Sequence, residues 1–87
     1  MAAVVKQVAI TLTAGVKTAQ LPEGSRVLNF QMVGTNATVT AVGNPANANI
    51  TRNFQLIQNN INTNTELTAC IYIGTVNSGG VWHLFEI

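Results

Sequence analysis

Val81-Trp82-His83-Leu84-Phe85-Glu86-Ile87 is the stretch whose reading decides the fold. β-Branched and aromatic residues dominate it, and a turn signal, Asn77-Ser78-Gly79-Gly80, stands directly before it. Both features predict a β-strand entered through a hairpin. The stretch holds the only Trp and the only His of the chain beside one of its three Phe. Apolar side chains fall on both faces, Val81, Phe85 and Ile87 against Trp82 and Leu84. A strand apolar on both sides is either central in a sandwich or half-covered by another copy. Its backbone groups require partners, which points to a compact β-domain or to a subunit whose edge a second copy covers.

Working back from that strand, a period of two recurs almost throughout. Leu67 to Val76 reads as a strand with Ile71 and Ile73 on one face and Cys70 and Tyr72 on the other. Gln58 to Thr65, with four Asn in eight residues, reads as a mobile loop. Ile50 to Ile57 points Ile50, Arg52, Phe54 and Leu56 one way, and Gly43 to Asn49 has the composition of a loop. Ala37 to Val42 is a strand of small and β-branched residues after a turn at Gly34-Thr35-Asn36. Arg26 to Val33 turns Leu28, Phe30 and Met32 inward and Asn29 and Gln31 outward. Leu21-Pro22-Glu23-Gly24 is expected to form a β-turn that stops a short strand begun at Lys17. The first strand sets Val4, Val8, Ile10 and Leu12 on one side and ends at a Thr13-Ala14-Gly15 turn. About seven short strands and no helical periodicity predict a single all-β domain over 1–87, an antiparallel sandwich or small barrel.

With 87 residues, the chain lies at the size where a single core is thin and oligomerisation, disulfides or metals complete the fold. Cys70 is the only cysteine and so forms no bridge within the chain; it reads as a buried filler. One His, three Glu and no Asp supply few metal ligands, and no cofactor is expected. Charged residues make up 8% of the chain, against about 25% in an ordinary soluble domain. Eleven Asn and eleven Thr carry the polarity instead. Amides and hydroxyls lose less than charges when a partner covers them, so self-association is expected. A net charge of +1 provides no electrostatic footprint for nucleic acid, and no apolar run is long enough to span a membrane. Met1 to Lys6 lacks the charged and apolar regions of a secretory signal. The Asn36-Ala37-Thr38 and Asn49-Ile50-Thr51 sequons are therefore taken as chance matches.

Three segments carry a resemblance. Leu21-Pro22-Glu23-Gly24-Ser25-Arg26-Val27-Leu28-Asn29-Phe30-Gln31 resembles the LP-x-G-(A/S)-x-(I/V)-L-x-(V/F)-Q run of a family of small proteins of unknown function in tailed phages and prophages. Thr51 to Ile57 is similar to its central strand, and Tyr72 to Val76 with Gly79 to Glu86 to its C-terminal hairpin. The likeness covers about residues 17 to 87 and departs after Ile57, where Gln58-Asn59-Asn60 replaces a Gly/His-containing turn. The resemblance implies a compact β-fold and a phage context, in the host bacterial cytoplasm or in the virion. It brings no established activity.

A nucleophile needs a base within hydrogen-bond reach and a third group to orient that base. His83 is the only imidazole, with Cys70 and Ser78 as the available nucleophiles, and its place beside Val81 and Phe85 reads as a packed histidine bonded to backbone. Two converging carboxylates would have to come from Glu23, Glu66 and Glu86. The chain is therefore read as a non-enzyme. Binding chemistry is better supplied: Tyr72 and Trp82 offer rings for stacking, Arg52 a phosphate clamp, and His83 a further polar contact. Each also has a plainer reading, Trp82 as core or interface and Arg52 as the partner of a glutamate. Two functions are in view. One is an oligomeric phage protein that sequesters a nucleotide-derived signalling molecule of host defence in pockets between subunits. The other is a virion structural or capsid decoration protein.

Overall fold

The computed structural model describes residues 3–59 and 67–87. The protein is an all-β sandwich of seven antiparallel strands in two sheets. The strands are β1 (Val4–Ile10), β2 (Gly15–Pro22), β3 (Arg26–Val33), β4 (Asn36–Gly43), β5 (Asn49–Gln58), β6 (Ile71–Asn77) and β7 (Val81–Glu86). One sheet has the order β1-β4-β3 and the other β2-β5-β7-β6. The molecule is 15 Å across its thinnest dimension, the depth of two stacked sheets about 10 Å apart. Among the described residues no helix is long and apolar enough to cross a membrane.

The decisive C-terminal stretch lies inside the four-stranded sheet. β7 pairs with β5 on one side and β6 on the other; Trp82 and Leu84 face the core, while His83 and Phe85 lie half-buried on the outward face. The core forms between inward rows: Leu21 from β2, Phe30 from β3, Val39 from β4, Phe54 and Leu56 from β5, and Leu84 from β7. Strict alternation along β4 places Ala37, Val39 and Ala41 inward, where small side chains let the two sheets approach.

Four sequence expectations change. Leu28 is not inward: it is the extra residue of a β-bulge between Val27 and Asn29, 47% exposed, and Val27 packs against the core in its place. Strand six begins at Ile71, because Leu67–Ala69 form a 3-10 turn closed by Cys70 N–H to Leu67 O at 3.0 Å. Cys70 is half-buried at the end of that turn and is no core filler. The proline turn lies one residue later than Leu21-Pro22-Glu23-Gly24, since Pro22 still belongs to edge strand β2 and its carbonyl accepts from Ser25 N at 3.0 Å. Gly24, at φ +83°, takes the position where a type II turn requires positive φ. The mobile loop expected over Gln58 to Thr65 falls mostly on 60–66, outside the described residues; Gln58 itself ends β5.

A second bulge, between Tyr72 and Gly74, explains why β6 is apolar on both faces. Ile73 turns to the core while Tyr72 stays on the outer face. The same irregularity lets β6 of one sheet press against β3 of the other. A Cβ built on Gly74 would stand 2.9 Å from Phe30 O and 3.1 Å from Phe30 N, so glycine is what this crossing demands.

Candidate functional site

The four residues singled out for binding divide between the two faces of the four-stranded sheet. Register fixes the division. Phe54 pairs with Glu86, Leu56 with Leu84 and Gln58 with Trp82, and these face the core; Gln55 pairs with Phe85 and Ile57 with His83, and these face outward. Tyr72 opposite Phe85 and Thr75 opposite His83 continue the outward row on β6.

On the outer face, Tyr72 and His83 belong to one hydrogen-bonded chain. The Tyr72 hydroxyl bonds Thr75 Oγ1, Thr75 Oγ1 lies 2.9 Å from His83 Nδ1, and His83 Nε2 lies 3.1 Å from Asn59 Oδ1. One tautomer satisfies every atom. Nε2–H donates to Asn59, Nδ1 accepts from the Thr75 hydroxyl, and the Thr75 oxygen accepts from the Tyr72 phenol. His83 is thus held by two side chains, one from the neighbouring strand and one from the turn after β5, and not by backbone as expected. The Tyr72 ring meets Phe85 edge-on, with centroids 5.5 Å apart. Tyr72 remains 55% exposed, so its ring and hydroxyl are open to a partner.

Hydroxyl, imidazole and amide in sequence also form the order of nucleophile, base and orienting group. In that tautomer the Thr75 oxygen accepts a hydrogen bond from the Tyr72 hydroxyl, and Tyr72, Thr75 and Asn59 are exposed while His83 is half-buried. The nucleophiles weighed from the sequence stand elsewhere, Cys70 before β6 and Ser78 in the β6–β7 hairpin loop.

On the inner face, Arg52 is engaged by its own chain. Its Nε and Nη2 grip the two carboxylate oxygens of Glu86, the latter at 2.9 Å, and Nη1 donates to Ser25 O at 2.7 Å. The hydrogen bond to Glu86 raises the guanidinium pKa, burial opposes it, and the charge of Glu86 adds to the rise. Arg52 therefore clamps a carboxylate of the fold. Trp82 also faces inward; it packs against the core and donates from Nε1 to Ser78 O at 3.2 Å, across the hairpin turn. Gln58, the partner of Trp82, lies six positions beyond Arg52 on β5, a distance of about 20 Å along a strand. Tyr72 and His83 are brought together, whereas Arg52 and Trp82 stand apart from them and from each other.

Sequence reasoning missed Thr75 and Asn59. Thr75 was within reach, because counting back from an Asn77–Val81 pair at the hairpin places it opposite His83. Asn59 was not, since its place depends on the pairing of β5 with β7, strands separated by residues 59–80.

A cavity of about 290 Å³ opens elsewhere, between the first half of β1 and the start of β5. Val4, Leu21, Ala41 and Pro45 supply its apolar lining, and Lys6 and Ser25 its polar groups. The Lys6 ammonium donates to Gln20 O at 2.9 Å and so ties the edges of the two sheets together. None of the four predicted binding residues reaches it. Among the described residues no group of three or more His, Cys, Asp or Glu is placed to hold a metal. No protein-family model, no curated protein and no solved structure matches this chain.

Proposed function

We propose that this protein is a non-enzymatic, self-associating phage protein that captures a nucleotide-derived signalling molecule of host defence between copies, on the outer face of its four-stranded sheet. The observation that carries this reading is the Tyr72–Thr75–His83–Asn59 chain set beside an exposed aromatic ring. A ring open to solvent can stack on a base, and ordered hydroxyl, imidazole and amide groups can meet the edges of a base or ribose. The motif resemblance supports the phage context and the bacterial cytoplasm as the place of action. In this reading Tyr72 and His83 touch the ligand, while Arg52 and Trp82 hold the sheet that presents them.

The slab shape, 15 Å thick, and the near absence of charge favour a second reading, a subunit of the virion. Native mass spectrometry of the purified protein, before and after incubation with cyclic and ADP-ribose-type nucleotides, separates the two. Capture predicts a discrete oligomer that gains ligand mass. Tyr72→Ala and His83→Ala should remain folded and lose uptake, the first by the roughly 1–3 kcal/mol that stacking contributes. An oligomer that gains no mass sinks the capture reading, and detection of the chain in purified particles would then establish the virion.

A further inference from the structure

β1 is an edge of one sheet and β2 an edge of the other, and the two do not pair. A side chain joins them, Lys6 to Gln20 O at 2.9 Å, whereas at the opposite side of the sandwich β6 presses on β3 through Gly74. The cavity of about 290 Å³ lies on the parted side, bounded by the turn at 22–25 and the loop at 44–48. Small residues make the room: Ala41 and Gly43 of β4 stand opposite Lys6 and Val4 of β1. A Cβ built on Gly43 would overlap Ser25 Oγ, so the serine takes the place of the missing side chain.

The walls are fixed in advance. Ser25 is only 6% exposed, and its Oγ and N–H both donate to Pro22 O, at 2.6 and 3.0 Å. Its carbonyl accepts from Arg52 Nη1 at 2.7 Å, so the Arg52–Glu86 clamp anchors the turn from behind. The loop is stitched to the same turn by Glu23 N–H to Ala48 O and by Asn47 Nδ2 to Glu23 O, both at 2.9 Å. Asn44 braces the loop from within, accepting from Ala46 N–H and Asn47 N–H at 3.0 and 3.1 Å. Segments held this way lose little freedom when a ligand arrives.

We infer that this cavity binds a small monocarboxylate with a short apolar body. Lys6 selects the charge. It stands on the inward row of β1, and the bond to Gln20 O aims its ammonium while leaving two of its three donors. It has no carboxylate partner among the described residues and is the only charged residue lining the cavity. One cation matches one carboxylate, whereas a phosphate near its second ionisation would keep charge uncompensated. Val4, Leu21, Ala41 and Pro45 cover the apolar body. The volume, at the lower end of ligand cavities, limits that body to a short chain. This site shares no residue with the Tyr72–His83 chain and does not rest on the capture proposed above.

Titration of the labelled full chain with hexanoate, followed by backbone amide shifts, tests this. Saturable shifts should centre on Lys6, Leu21, Ala41 and Asn49, with the millimolar dissociation constant a ligand of this size allows. Hexylammonium, the same chain with the opposite charge, should bind at least tenfold more weakly, and inorganic phosphate should shift nothing at the cavity. Lys6→Met keeps the stem and removes the charge at an exposed position, and it should weaken hexanoate at least tenfold. Tyr72→Ala should leave hexanoate binding unchanged. Absence of saturable shifts overturns the proposal, as do shifts centred on Tyr72 and His83. Equal binding of hexylammonium, tighter binding of phosphate, or undiminished binding in Lys6→Met overturns it too. Nucleotide uptake is not read here, so failure of this site and failure of capture are separate results.

Discussion

Arg52 illustrates how far one side chain's role depends on what lies opposite it. A guanidinium on an apolar strand face suits an anionic ligand, but in the fold its donors go to Glu86 and to the Ser25 carbonyl, leaving its part structural. Arg52→Ala leaves a mostly buried carboxylate and a carbonyl without their donor. The cost should fall between that of an exposed pair and a fully buried one, about 1–3 kcal/mol in denaturant melts. Arg52→Lys should recover only part of it, because an ammonium cannot make the two-pronged contact. Loss of ligand uptake with stability unchanged would return Arg52 to the binding site. Thr40 presents the opposite case. Its hydroxyl is buried without a hydrogen-bond partner, opposite Asn29, whose Oδ1 is buried and unpartnered as well. An unsatisfied buried polar group costs roughly 1–3 kcal/mol, and valine keeps the branched shape while removing it. Thr40→Val should therefore stabilise the protein by about 1 kcal/mol, read as a higher denaturant midpoint at unchanged slope; a destabilised variant would mean that the hydroxyl has a partner in solution.

At the scale of elements, the strands were legible and their irregularities were not. Alternation alone located β1 to β5 and β7 to within a few residues, because burial of one face imposes a period of two. It misjudged Leu28 because a bulge shifts the phase by one, and that shift arises from pairing with β4, invisible in β3 alone. The same limit hid the link between His83 and Asn59, whereas the Thr75–His83 pair followed from local hairpin register. Tyr72 was not legible as a neighbour of His83, since unbroken register would set it opposite Glu86 on the other face and only the bulge before Gly74 turns it to the His83 side. The separation of Arg52 and Trp82 was not legible either, since it requires the whole sheet order. Gly74 shows the consequence for energetics. It reads as an ordinary strand glycine, yet β6 crosses β3 at that point. Gly74→Ala drives a methyl into the Phe30 backbone, which has no flexible end to move aside. It should destabilise by about 2 kcal/mol or more, the range of overpacked sites. Gly79→Ala meets no atom within 4 Å, so its smaller cost comes only from backbone at φ +63°. Equal costs for the two substitutions would remove the close β3–β6 crossing as the cause.

At the scale of the molecule, the question is how a thin sandwich of 87 residues remains folded with so few charges and no disulfide. Its core is a single layer of side chains between two sheets, and small domains bury a low share of their surface. The self-association proposed above would extend that burial and link folding to association, since a partner that binds only the folded chain stabilises it by mass action. For a dimer well above its association midpoint, each tenfold rise in concentration adds RT ln 10 per dimer, about 0.7 kcal/mol per subunit. For a domain of this size the unfolding entropy converts this to roughly 4 °C in Tm. Wild-type Tm should therefore climb by about that amount per decade of concentration, with the slope vanishing in Val16→Lys, which places a charge on the outward row of the four-stranded sheet. The dilute-limit Tm of the variant should match that of the wild type, because Val16 is exposed in the isolated subunit. A slope that persists in Val16→Lys would move the stabilising contact to another surface, and a flat wild-type series would mean that the sandwich is stable without a second copy.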